Sequence, residues 1–161
     1  MKNIQPEIFF PVSLLLSRKP CLIVGGGKVA ERKLKKLLAS GAKVTVVCPE
    51  PSQYIQEKAD NCMINLFKRE YIKNDSKGFF LVFTATDSSE VNKQIIKECN
   101  KKGILCCAVD RNWRKGSFVT PASFTKGNFT VSISSNGEKC RESKELKNKI
   151  KLFLNGKNDQ T

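Results

Sequence analysis

Three consecutive glycines, Gly25-Gly26-Gly27, close the apolar run Cys21-Leu22-Ile23-Val24 and lead straight into a helix-patterned segment. That order suits a diphosphate. Read as G-x-G-x-x-A, Gly25 allows the tight turn, Gly27 lets backbone approach the phosphates, and Ala30 permits close helix–strand packing. The first helical amides, at Lys28 and Val29, then point at the anion, where the helix dipole favours negative charge. Cys48, Pro49 and Glu50 follow the next apolar run, where a ribose would be held. Thr84, Ala85 and Thr86 end another such run and could line the same pocket. Histidine is absent from all 161 residues, which excludes Ser-His-Asp and Cys-His mechanisms. Acid–base work falls to Asp, Glu, Lys, Tyr, Cys or a cofactor. Asp110, at the carboxyl end of a strand-like run, stands where open α/β sheets bind ligands.

The elements that would position these residues are legible in the hydrophobic period. Pro20 heads the first strand, where a missing N–H costs least. Val29, Ala30, Leu34, Leu37 and Leu38 then share one helical face, and Gly41 closes it. Residues 42–47 form the second strand, making a βαβ unit. Residues 61–67 predict a third strand and residues 78–85 a fourth, covered on both faces. Asp87 with Glu90 predicts a capping box for a helix carrying Val91, Ile95, Ile96 and Cys99, ended by Gly103. Residues 104–109 give a fifth strand. Two strand-like stretches, 117–124 and 128–135, surround a turn at Thr125-Lys126-Gly127, and a last helix carries Leu146, Ile150, Phe153 and Leu154. The pattern predicts an α/β chain: a Rossmann-like, doubly wound, mainly parallel sheet over residues 1–112, then a small α+β dimerisation segment over residues 113–161. The last helix needs a cover that so small a tail cannot supply, so a homodimer is expected.

Composition narrows the partners. Seven cysteines without C-x-x-C spacing read as reduced residues of a cytoplasmic protein, and no zinc or other metal site is expected. No apolar run reaches the length of a membrane span, so no membrane partner is expected. The net charge of +14 is spread along runs such as Lys33-Leu34-Lys35-Lys36 rather than clustered among exposed aromatics. That distribution argues against nucleic acid. It fits either a solvated lysine-rich surface or attraction of an anionic small molecule.

The run Phe10-Pro11-Val12…Cys21-Leu22-Ile23-Val24-Gly25-Gly26-Gly27-Lys28-Val29-Ala30-Glu31-Arg32-Lys33 resembles the start of precorrin-2 dehydrogenases and of the N-terminal module of siroheme synthases. The resemblance continues through Thr84-Ala85-Thr86-Asp87, Val91-Asn92, Val109-Asp110, Ser117-Phe118-Val119-Thr120-Pro121-Ala122 and Val131-Ser132-Ile133-Ser134-Ser135-Asn136-Gly137. It implies NAD-dependent oxidation of precorrin-2, an anionic tetrapyrrole, to sirohydrochlorin in siroheme biosynthesis, with ferrous iron insertion in some members. It further implies a dimer and Asp110 as the catalytic carboxylate. From the residues themselves, Arg111 and Arg114 either clamp substrate carboxylates or stand as solvated connector residues, and Ser134, Ser135 and Asn136 either border the tetrapyrrole site or form a strand-ending turn. Relatives commonly continue into a helical domain that helps cover the tetrapyrrole. The alternative from a different class is a nucleotide-sensing regulatory domain without catalysis. NAD-selective folds place an acid at the end of the second strand; here Cys48-Pro49 hold that place and Glu50 follows.

Overall fold

Pro20 has no N–H to give a ladder, and it stands exposed at the head of β1 (Pro20–Val24), whose other four residues are buried. A computed structural model describes residues 8–110 and 113–156 of the chain. The described residues divide into two compact units, one within residues 14–119 and one of residues 8–13 with 120–156.

In the first unit β1 is followed by α1 (Lys28–Ala39), β2 (Lys43–Val47), α2 (Gln53–Asp60), β3 (Asn65–Phe67), β4 (Leu81–Thr84), α3 (Ser89–Lys102) and β5 (Leu105–Ala108). The strands form one parallel sheet in the order β3-β2-β1-β4-β5. Order reverses between β1 and β4, so a crevice opens at their carboxyl ends, where doubly wound sheets take dinucleotides. Both faces are covered. Cys21, Ile23 and Phe83 face the core with Leu34, Leu37 and Ile55 of α1 and α2. Leu22, Val24, Val82 and Cys106 pack with Ile95, Ile96 and Cys99 of α3. The strand period of two sends neighbouring residues to opposite helix layers, so the strands are continuous apolar runs.

Four local expectations are corrected. α2 has no counterpart in the sequence reading, because it buries only Ile55; Ser52 starts it by accepting the Ile55 amide at 3.4 Å. β3 is three residues long rather than seven. Residues 61–63 instead finish α2: Cys62 takes a φ of 55°, and its amide bonds back to Ala59. Ser88, not Asp87, caps α3, accepting the Val91 amide at 3.3 Å. Lys33 is not part of the solvated lysine surface. It is 7% exposed, its ammonium lies 4.9 Å from the Phe83 ring centroid, and burial lowers its pKa.

The division expected at residues 112/113 falls inside this unit. Ser117 returns along the edge of β5, its amide bonding Cys106 O at 2.7 Å, which holds residues 113–119 to the sheet.

The second unit contains an antiparallel hairpin of β6 (Ala122–Lys126) and β7 (Phe129–Ile133), on which α4 (Cys140–Gly156) packs. Its turn is the pair Gly127-Asn128, with Gly127 at φ 53°, one step beyond the expected position. Among the described residues no helix is long and apolar enough to cross a membrane.

Candidate functional site

The glycine turn is pinned from two sides. After β1, the Gly25 amide bonds Val47 O at 2.9 Å, and the Ala85 amide bonds Val24 O at 2.7 Å. The Ser52 amide bonds Gly26 O at 2.9 Å, so the segments that follow β1, β2 and β4 meet at one end of the sheet. No side chain fits between them. A Cβ on Gly25, which has a φ of +124°, would lie 2.2 Å from Ala85 O; one on Gly26 would lie 2.1 Å from Glu50 O. Gly27 differs: a Cβ there would meet nothing within 4 Å. Gly25 and Gly26 therefore serve the crossing of the loops, and Gly27 leaves open space in front of α1.

Gly27 is also the N-cap of α1, in extended conformation, and no side chain caps that end. The amides of the first turn, at Lys28 and Val29, thus keep their donors for an anion. Ala30 is fully buried against the sheet, which lets the helix start close to β1. Glu31, an acid on this first turn, is bonded to Lys35 Nζ at 2.5 Å and accepts from Ser52 Oγ at 3.3 Å. The hydrogen bond from Lys35 holds its carboxyl below the ordinary value, and the pairing offsets its charge beside a diphosphate. The uncapped donors, the open face at Gly27 and the converging loops fit a nicotinamide dinucleotide.

Beyond the turn, Cys48 is buried, its thiol pKa raised by burial, while Pro49 and Glu50 are exposed. The Glu50 backbone carbonyl abuts Gly26, so its side chain leaves the main chain next to the turn despite coming late in sequence. Thr84 is closed to solvent, and its Oγ1 has no partner among the described residues. Cys48 and Thr84 as folded here lie under the crevice; Pro49, Glu50, Ala85 and Thr86 are its accessible neighbours.

Asp110, half-buried, is joined to that crevice by Asn92, a residue assigned no site role from the sequence. Asn92 of α3, 1% exposed, donates to Asp110 Oδ2 at 2.9 Å and to Thr86 O at 3.0 Å. Its own Oδ1 accepts from Thr86 Oγ1 at 2.8 Å and Thr86 N at 3.4 Å. The signal for it was present: Asn92 stands four residues before Ile96, a polar residue on the apolar face of its helix.

In the other unit, Ser134, Ser135 and Asn136 build the turn into α4. Ser135 Oγ accepts the Lys139 amide at 2.9 Å and the Ser143 hydroxyl at 3.0 Å. Ser134 Oγ accepts the Asn136 amide, and Asn136, at φ 53°, accepts the Phe9 amide at 3.3 Å. Arg111 lies outside the described residues. No group of three or more potential metal ligands occurs among the described residues.

Comparison with known proteins agrees with this geometry. A family model described as NAD(P)-binding matches residues 12–122. The chain is 31% identical over 146 residues to the precorrin-2 dehydrogenase of Bacillus subtilis strain 168, covering 91% of this chain and 89% of that protein. It is 36% identical over 146 residues to siroheme synthase 3 of Aeromonas hydrophila, where the match takes in 91% of this chain but 31% of the relative. The chain therefore spans about a third of the length of the siroheme synthases it matches. Among solved structures, SirC, a precorrin-2 dehydrogenase, superposes with a TM-score of 0.76 at 30% identity, over 92% of this chain and 71% of that one. The chain belongs to the NAD(P)-binding family of precorrin-2 dehydrogenases and siroheme synthases.

Proposed function

We propose that this chain is an NAD-dependent dehydrogenase that oxidises precorrin-2 to sirohydrochlorin. The observation that carries the reading is a continuous path of contacts across one end of the sheet. Gly25 abuts Ala85, Thr86 holds Asn92, and Asn92 holds the Asp110 carboxylate. A dinucleotide cradle and a strand-end carboxylate are thereby tied together at one end of the sheet. The reaction removes a hydride and a proton from the reduced macrocycle. NAD, when bound, supplies the hydride acceptor. The amides of Gly27, Lys28 and Val29 hold the diphosphate, and Asp110 accepts the proton. A regulatory domain would need the cradle but not the carboxylate. The direct test is anaerobic: NADH should form from precorrin-2 and NAD, and its absence with folded protein rejects the reading.

Preference for NAD over NADP is assigned to Glu50. An exposed carboxylate beside the turn bonds ribose hydroxyls and repels a 2′-phosphate. Glu50→Gln is expected to weaken NAD binding about tenfold, roughly 1.4 kcal/mol, and to narrow the gap to NADP. Unchanged affinities for both coenzymes would remove Glu50 from this role.

Precorrin-2 is polyanionic, and the net charge of +14 raises its local concentration in a salt-sensitive way. One basic surface is a shallow depression of about 680 Å³ on α3, with Lys93, Lys97, Lys101 and Lys115 around it.

A homodimer through the second unit is also proposed. Phe129, Leu152 and Phe153 remain 78%, 71% and 63% exposed, too much apolar surface for so small a body. Sedimentation equilibrium should give twice the chain mass, falling to one chain mass in Phe129→Glu/Leu152→Glu. A wild-type monomer contradicts the dimer without touching the dehydrogenase reading.

A further inference from the structure

Asn92 is buried, and both of its functional atoms are fully used. A side-chain amide offers two N–H donors and one oxygen with two lone pairs. Here the donors go to Thr86 O and Asp110 Oδ2, and the oxygen takes the amide and hydroxyl of Thr86. A structural plug on an apolar helix face needs none of this directionality. Leu or Ile would fill the volume without four bonds, and Ile95 and Ile96 next along α3 do so. The bonds also run to two different segments, one after β4 and one at the end of β5, in the order the crevice requires.

We infer that Asn92 is a positioning residue for the dehydrogenation: its amide fixes the Asp110 carboxylate in register with the coenzyme-side loop at Thr86. With Oδ2 of Asp110 held by Asn92, the carboxyl group is anchored to α3 by a buried neighbour. Proton transfer requires placement within hydrogen-bond reach, and a displacement of about 1 Å in such a group lowers rate roughly 10²-fold. The inference rests on the reading of Asp110 as proton acceptor and extends it to the residue that aims it.

The test compares Asn92→Ala, Asn92→Asp and Asp110→Asn. Turnover of precorrin-2 is expressed per coenzyme-binding site counted by NADH titration, so that unfolded molecules do not enter. Asn92→Asp keeps the shape and the oxygen that receives Thr86 but can donate neither to Asp110 nor to Thr86 O. Both Asn92 variants are expected to lose about 10–100-fold in kcat, with KM for precorrin-2 within roughly threefold of wild type. If Asn92→Asp keeps wild-type kcat per site while Asp110→Asn is slow, the residue serves the fold alone and the inference is overturned. It is overturned equally if both Asn92 variants lose coenzyme binding. If Asp110→Asn itself turns over normally, the underlying reading of Asp110 fails, an outcome distinct from the others.

Discussion

Asp110→Asn is expected to lower precorrin-2 turnover by roughly 10²–10⁴-fold, the usual contribution of a positioned proton acceptor. The substitution is nearly isosteric. An asparagine oxygen can still accept the Asn92 amide that now reaches Asp110 Oδ2 at 2.9 Å, so the join between α3 and the end of β5 survives. What disappears is the capacity to take a proton. NAD affinity should stay within about twofold, because the diphosphate cradle lies on β1 and α1 and keeps its contacts. Steady-state kinetics with a parallel coenzyme titration separates the two effects. Wild-type turnover in this variant would remove Asp110 from the chemistry.

The second large effect concerns the glycines, which are not equivalent. In Gly25→Ala the new methyl would sit 2.2 Å from Ala85 O at a φ of +124°, so steric overlap adds to backbone strain. Each contributes on the order of 1–3 kcal/mol. Gly26→Ala meets Glu50 O at 2.1 Å without a positive φ, and overlap alone should destabilise it by about 1–3 kcal/mol. Both variants should unfold at lower urea concentration than wild type. Gly27→Ala has no neighbour within 4 Å and should lose under about 1 kcal/mol, the scale of a helix-cap change. A ranking in which Gly27→Ala is the least stable of the three would contradict this division of labour.

The glycine turn and the parallel sheet were readable because their signals are local. Val24-Gly25 marks a strand end by composition alone, and the continuous apolar runs of β1 and β4 follow from burial on two faces. α2 was unreadable for the opposite reason. One buried residue, Ile55, leaves no periodic stripe, and its start depends on Ser52, whose amide is itself engaged by Gly26 from a distant loop. The cap of α3 shifted by one residue because Asp and Ser are both good caps, and only the path of the chain after Thr86 chooses Ser88. Candidate site residues divide similarly. Gly25, Gly26, Gly27, Glu50, Thr86 and Asp110 come from segments whose strand ends the sequence marks, and they gather at the carboxyl end of the sheet. Asn92 was missed because a polar residue on an apolar face announces only that it has partners; which partners depends on the fold. The burial of Lys33 over Phe83 was likewise hidden, since three lysines in four residues read as a solvated face.

The central claim is that the backbone in front of Gly27 receives the diphosphate of a nicotinamide coenzyme. Calorimetric titration of NAD into wild type and Gly27→Ala, both verified as folded by cooperative urea unfolding, addresses it most directly. The account predicts saturable heat at one site per chain in wild type and at least about tenfold weaker binding in Gly27→Ala. Equal affinity in the two proteins, or no heat from wild type, would contradict it.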